Sequence, residues 1–372
     1  MNNPNPKKRL WLSISLVSLC LVGGMLLLLF LKQKASVPLG PALSLPTTTL
    51  PGQSEPTPGM DDGQEPDGEG DEGKQVEGEG KNDEDSGLQG RGKPVCGGPE
   101  SLLILGVGTD SASYRYGLAD VIRIVRLDFV DKRITAVSLP RDLWIEMPDI
   151  GLPPSYTHGK INQAYLFGMP GMGYYQGADA GAGTLARAIQ HNYGLRVDHY
   201  AAVNMPVFVS LVDAMGGVTV ELPYDIYIGG KPENGILYPA GRQHFDGASA
   251  LRFARTRSGY SDFFRQDNQS LLIKAMARRV LSPAIFPKIP ALVSVFKDQV
   301  LTDLSLEQIS QAVCLLSKVE PGDIVLTQLP QEMLSIGSTY RPIFRANTSI
   351  VSADPQGVRR YLARFAAGEW PD

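Results

Sequence analysis

Cysteine, histidine and tryptophan are scarce, at three, four and three in 372 residues. None of the cysteines or histidines falls at metal-ligand spacing, which removes a zinc centre, and four scattered histidines give little support to a Ser-His-Asp triad. A basic stripe is also lacking in a chain of formal net charge −4, so nucleic acid is not expected as a partner. Charge of either sign is missing from Leu10 to Leu31, and large apolar residues are sparse from Pro38 to about Pro94.

The first of these gaps predicts a transmembrane helix over residues 10–31. Its 22 uncharged residues make roughly 33 Å of helix, the thickness of a bilayer core. A cleaved signal peptide would have a shorter apolar core and a small-residue cleavage site. A lipid-modified cysteine is excluded because Cys20 sits in mid-span behind Leu19. Lys7, Lys8 and Arg9 precede the span and Lys32 and Lys34 follow it. That balance favours a cytoplasmic tail over residues 1–9 and a single-pass protein of the cell membrane whose remainder is extracytoplasmic. Only Cys96 and Cys314 then lie where a disulfide persists, and whether they pair is left open.

The second gap predicts a disordered acidic linker over residues 32–96, rich in Pro, Gly, Glu and Asp, which cannot offset its ordering entropy by burial. As a tether of some 60 residues it would extend to roughly 200 Å at most, with a coil span nearer 45 Å. Past Val95 the charges balance, 26 acidic against 26 basic, with 19 Arg to 7 Lys. Arginine is the side chain suited to two-pronged contact with phosphate.

Residues 97–372 are expected to form one α/β/α sandwich around a central mixed β-sheet. Leu102–Val107, Asp120–Leu127 and Ile134–Leu139 read as β-branched, apolar strands, the last two forming a hairpin. Thr184–Tyr193 reads as a helix stopped by Gly194, and Pro206–Met215 as one started by proline and stopped by Gly216 and Gly217. Val218–Leu222 returns as a strand, a helix follows from about Gln266 to Leu281, and Ser305 with Gln308 fits a capping box.

Four clusters carry chemistry. Asp110 and Asp120 stand at strand edges, where paired carboxylates suit a hard cation, although aspartates there are mostly turn formers. SLPRDLW places Arg141 and Asp142 after an apolar strand. In LRFARTRSGYSDFFRQDNQ, an extended backbone would point Arg255 and Arg257 to one face, while Asp262, Arg265 and Gln269 share a helix side. Guanidinium groups gathered in this way repel one another unless an anion lies between them. GKINQAY, residues 159–165, adds a Lys and an Asn after a Gly.

In this order the clusters resemble the LytR-CpsA-Psr family of cell-wall ligases, from about Leu102 to Leu281. The match runs through LLILGVGTD, ADVIRIVRLD, SLPRDLW, KINQAY and PAGRQHFDGASALRFARTRSGYSDFFRQDNQ. The resemblance implies a magnesium-dependent phosphotransferase that moves a glycopolymer from a polyprenyl-pyrophosphate carrier, held at the cytoplasmic membrane, to peptidoglycan. It implies Asp110 and Asp120 for Mg2+ and Arg141, Arg255, Arg257 and Arg265 for the phosphates, with Asp262 and Gln269 orienting them. One departure is Leu118, which stands where the family usually has an arginine. Arg115 in the preceding loop is the expected replacement, because alternation along a strand from Asp120 turns Arg123 to the opposite face. A pyrophosphate hydrolase and a non-catalytic binder of polyprenyl phosphate stay open as alternatives.

Overall fold

The computed structural model describes residues 36–46, 92–257, 262–341 and 346–369. The span expected at 10–31 and residues 47–91 of the expected linker lie outside them. Among the described residues no single helix is long and apolar enough to cross a membrane.

Six strands form the central sheet, in the order β11-β6-β1-β2-β3-β12. These are β1 (Ser101–Thr109), β2 (Ala119–Asp128), β3 (Arg133–Ser138), β6 (His199–Val203), β11 (Leu301–Thr302) and β12 (Ile324–Gln328). The sheet is mixed, as expected: β1–β2, β2–β3 and β6–β11 run antiparallel, while β1–β6 and β3–β12 run parallel. Short pairs lie outside it, β4 (Trp144–Glu146) with β5 (His158–Lys160), β7 (Val218–Leu222) with β10 (Gly241–Phe245), and β8 (Ile226–Tyr227) with β9 (Ile236–Tyr238). A C-terminal hairpin of β13 (Leu334–Arg341) and β14 (Ala346–Ala353) completes the strands.

The helices are α1 (Ile161–Phe167), α2 (Ala180–Tyr193), α3 (Met205–Ala214), α4 (Gly247–Ala254), α5 (Asp262–Leu281), α6 (Ile289–Gln299), α7 (Leu306–Leu316) and α8 (Pro355–Ala367). Leu105 and Val107 of β1 and Ile122 and Ile124 of β2 form the main core with α2 and α8, through Leu185, Ile189, Leu362 and Phe365. A second cluster joins α3, α4 and α5 to β7 and β10 through Val212, Phe253, Leu272 and Phe245. Helix boundaries follow local chemistry. Gly194 ends α2 at φ 70°, and Ser305 caps α7 in a reciprocal box with Gln308.

Two features bear on the linker and the cysteines. Residues 36–46, within the stretch expected to be disordered, are laid along the domain as a strap. Leu43 and Leu45 pack on the main core, and the Ser44 amide and hydroxyl each donate to Asp179 Oδ2 at 2.9 Å. Leu39 N donates to Leu304 O at 3.2 Å. Gly40 is required here, since a Cβ would come within 2.6 Å of Thr302 O. Cys96 and Cys314 form a disulfide with 5.9 Å between Cα atoms, closing a loop of 218 residues.

Candidate functional site

The pattern Leu-Gly-Val-Gly in β1 sends Leu105 and Val107 into the core and Gly106 and Gly108 to the other face. With no side chains there, and with α3, α4 and α5 arched over the sheet, a cavity of about 330 Å³ opens. Phe208 and Leu211 of α3 and Leu272, Ile273 and Met276 of α5 wall it. Its lining turns polar where Asp110, Asp120, Arg255, Arg265 and Gln269 meet.

Asp110 follows β1 directly, and its Oδ1 accepts from Leu118 N at 2.7 Å, closing the 110–118 loop. Asp120 occupies a β-bulge: Gly108 pairs with Val121 but Thr109 pairs with Ala119, leaving Asp120 without a register partner. Its Oδ1 is bonded to Arg141 Nη1, and its backbone carbonyl accepts from Arg265 Nη2 at 3.3 Å. Arg141 Nε lies 3.6 Å from Asp142 Oδ2 and 3.9 Å from Asp262 Oδ1, too far for a hydrogen bond.

Asp262, in the first turn of α5, also stands 2.8 Å from Arg265 Nη2 and 3.3 Å from Arg257 Nη2. One carboxylate therefore faces three guanidinium groups. Burial holds the Arg265 pKa below its ordinary value; Asp262 opposes the shift, and Arg257 and Arg141 reinforce it. Arg265 Nε is buried without a hydrogen-bond partner among the described residues. Such a cluster has spare positive charge and spare donors for an anion. Gln269, one turn further, donates to Ala254 O at 3.3 Å and so fastens α5 to α4 beside Arg255.

The site thus gathers Asp110, Asp120, Arg141, Arg255, Arg257, Asp262, Arg265 and Gln269 from five stretches of chain. Arg255 is not extended, as the spacing argument assumed; it caps α4 at φ −101° and ψ −1°. Residues 258–261 of this cluster lie outside the described residues.

Arg115, the expected replacement for the missing arginine, stands apart from the cavity. Its side chain is exposed in the loop and lines neither cavity, while Arg123 lines the first. The alternation argument failed because the bulge at Asp120 inserts one residue and resets the faces, so Val121, Arg123 and Val125 share the cavity side with Asp120. Arg123 is 3% exposed. Its Nη2 donates to Gln266 O at 3.0 Å and Ser270 Oγ at 2.9 Å, whereas Nε and Nη1 have no partner among the described residues. Burial brings its pKa down to about 10, against the pull of Asp267.

A second, polar cleft of about 350 Å³ is lined by Arg141, whose Nη1 donates to Asp120 of the first cavity. Leu118, Lys160, Asn162, Asn347 and Thr348 also line it, and Lys160 Nζ donates to Asp142 Oδ1 at 2.8 Å. Asn162 is buried and its Oδ1 lacks a hydrogen-bond partner among the described residues. The sequence signal for this cleft was GKINQAY, uninformative until the hairpin β13–β14 is placed beside it.

Whether a divalent metal fits is decided by the donors. Asp110 and Asp120 both face the first cavity, and among the described residues each has only Oδ1 engaged by the protein. Hard carboxylate oxygens in this number suit Mg2+, which is typically held by one or two carboxylates together with substrate phosphates. No group of three or more potential ligands occurs among the described residues.

Known proteins are similar to this chain in sequence and in fold. The chain is 27% identical over 216 residues to the polyisoprenyl-teichoic acid–peptidoglycan teichoic acid transferase TagU of Enterococcus faecalis, covering 57% of this chain and 64% of that one. It is 30% identical over 212 residues to TagU of Halalkalibacterium halodurans, covering 56% and 62%. The chain therefore spans just under two thirds of these relatives' length. The crystal structure of Bacillus subtilis TagV superposes with a TM-score of 0.54 at 21% identity over 72% of this chain and 96% of that one. TagT bound to LIIa-WTA gives 0.53 at 18%, over 73% and 91%. Residues 70–352 match the LytR_cpsA_psr family, and the chain belongs to that family.

Proposed function

We propose that this protein is a phosphotransferase that moves a glycopolymer from a polyprenyl-pyrophosphate carrier to peptidoglycan or another cell-wall acceptor. The observation that carries this reading is a cavity with apolar walls that ends in arginines and paired carboxylates, as a lipid tail joined to a pyrophosphate requires. Relatives named for transfer of polyisoprenyl-linked teichoic acid to peptidoglycan support it.

The polyprenyl chain lies over Gly106 and Gly108, and its pyrophosphate meets Arg255, Arg265 and Arg141. Their guanidinium groups stabilise charge that spreads over the transferring phosphoryl group, the main demand of such a reaction. Asp110 and Asp120 would hold Mg2+, which when bound supplies further charge neutralisation at the phosphate oxygens. An acceptor hydroxyl oxygen bonds to the sugar-side phosphorus, the bridging P–O bond breaks, and its electrons leave with polyprenyl phosphate. Asp120 and Asp262, both beside Arg141, are the candidates to take the hydroxyl proton. Entering and leaving oxygens stand roughly in line. The polar cleft across Arg141 from the lipid cavity is accordingly the acceptor's approach.

Residues 10–31 serve as a single membrane span with a cytoplasmic N-terminus, and the domain works outside. The Cys96–Cys314 disulfide supports that placement, because disulfides persist in oxidising compartments.

The test is the full chain in detergent with magnesium, a polyprenyl-pyrophosphate oligosaccharide and peptidoglycan fragments, read by mass spectrometry. A phosphodiester-linked product is expected, and Asp120→Ala abolishes it. Sugar phosphate without linked product shows a hydrolase. Unchanged lipid with bound protein sinks the enzyme reading in favour of a binder.

A further inference from the structure

Helix α5 follows the cavity from its polar end to its apolar end, through Arg265, Gln269, Ile273 and Met276. Beyond the cavity the chain turns by 90° into segment 283–297. The surface of that corner is apolar and open: Phe286 is 69% exposed, Val293 49%, Ile289 43% and Leu281 43%. Ile273, itself at the surface, joins this patch to the cavity wall. Residues 268–297 carry Lys274, Arg278, Arg279, Lys288 and Lys297 and no carboxylate.

We infer that this corner, α5's C-terminal end with segment 283–293, is the face that rests on the bilayer and receives the polyprenyl tail from it. The inference rests on the proposed reading of the cavity as a polyprenyl site. Three observations select a lipid surface over a protein partner. First, about 330 Å³ is the volume of a site for a drug-sized ligand. A long polyprenyl chain must leave it, and the patch begins where the cavity's apolar wall reaches the surface. Second, an apolar face on a segment whose charged residues, between Asp267 and Asp298, are all cations has the composition of a segment lying in an anionic interface.

The strap supplies the third. Leu39, bonded to Leu304, is eight residues beyond Leu31, so with the span in place it lies within about 28 Å of the membrane at full extension. Leu304 follows directly from α6 through β11. The attachment from the span to residue 39 is therefore short.

The test uses the full chain with Cys20→Ala, so that an introduced cysteine is the one free thiol beside the disulfide. Phe286→Cys and, separately, Ile336→Cys are labelled with bimane. Ile336 is 78% exposed on the hairpin that follows β12, the opposite sheet edge from β11. In phosphatidylglycerol–phosphatidylcholine vesicles, acyl-chain nitroxides should quench the 286 label several-fold more than the 336 label, and aqueous iodide should do the reverse. Equal quenching overturns the inference. In the same vesicles, Phe286→Asp with Val293→Asp should raise KM for a long-chain polyprenyl donor while sparing a short-chain soluble donor. Equal effects on both donors also overturn it. If the parent chain turns over neither donor, the transferase reading fails and the quenching alone decides the docking.

Discussion

Arg265 donates from Nη2 to the backbone carbonyl of Asp120 at 3.3 Å, so one bond fastens helix α5 to the bulge in β2. The same Nη2 lies 2.8 Å from Asp262, and Arg265 is thus set between Asp120 and Asp262. Arg265→Ala should lower kcat by about 100- to 1000-fold, the usual loss for a charge-stabilising donor. Arg265→Lys should recover little, because an ammonium cannot reach two partners from a planar fork. Steady-state transfer assays with both variants check this.

Arg123 separates binding from stability. With Nε and Nη1 buried beside the cavity and unpartnered among the described residues, Arg123→Met should raise donor KM about tenfold, the loss of one charge-assisted contact. Thermal stability should hold or rise, because an apolar side chain of similar length replaces a buried charge. A fall in stability with donor KM unchanged would make Arg123 a structural partner of Gln266 and Ser270 instead.

Gly106 tests the cavity by filling it. A Cβ there would meet Arg123 O at an ordinary 3.6 Å, so Gly106→Ala should be tolerated. Gly106→Leu should fill the cavity, with loss of polyprenyl-donor binding by calorimetry, if the proposed function holds, and retention of the far-ultraviolet circular dichroism spectrum.

Cys314→Ser opens a loop of 218 residues. Denaturant titration should show a loss of about 2–5 kcal/mol. Adding a reductant should bring the parent chain to the same midpoint and leave the variant unchanged.

Asp128 sets part of the acid limit of stability. Burial would raise its pKa, but bonds from the Asp131 and Val130 amides and the neighbouring Arg126 outweigh that and hold it below the ordinary aspartate value. Its contribution is thus complete above the unfolded value of about 3.9 and disappears as pH falls through the lower folded value. Asp128→Asn should destabilise the protein at neutral pH and flatten the acid limb of a stability–pH profile.

Much of the sheet was legible because its signals are local. The apolar run Leu102–Val107 and the hairpin at Asp131-Lys132-Arg133 predict β1, β2 and β3, and Ser305 with Gln308 announces the start of α7. The candidate acids and arginines were legible too, from order and type. Arg123 was misread because a single inserted residue at Asp120 reverses every later face of the strand, and no local signal marks that bulge. The polar cleft was invisible because Asn347 and Thr348 come from a hairpin nearly 190 residues after Lys160.

By itself the sequence determined what local chemistry and composition can determine. These are an uncharged run of bilayer length, an acidic stretch unsuited to a core, alternating strands, capped helices and an arginine-rich set of phosphate-binding types. Tertiary structure decided which of these groups meet. It paired Cys96 with Cys314, tied residues 36–46 to Leu304 and Asp179, turned Arg123 into the cavity and surrounded Asp262 with three guanidinium groups. The reason is physical: propensity and periodicity act over a few residues, whereas a bulge, a disulfide or a charge cluster is fixed by the packing of segments far apart in the chain.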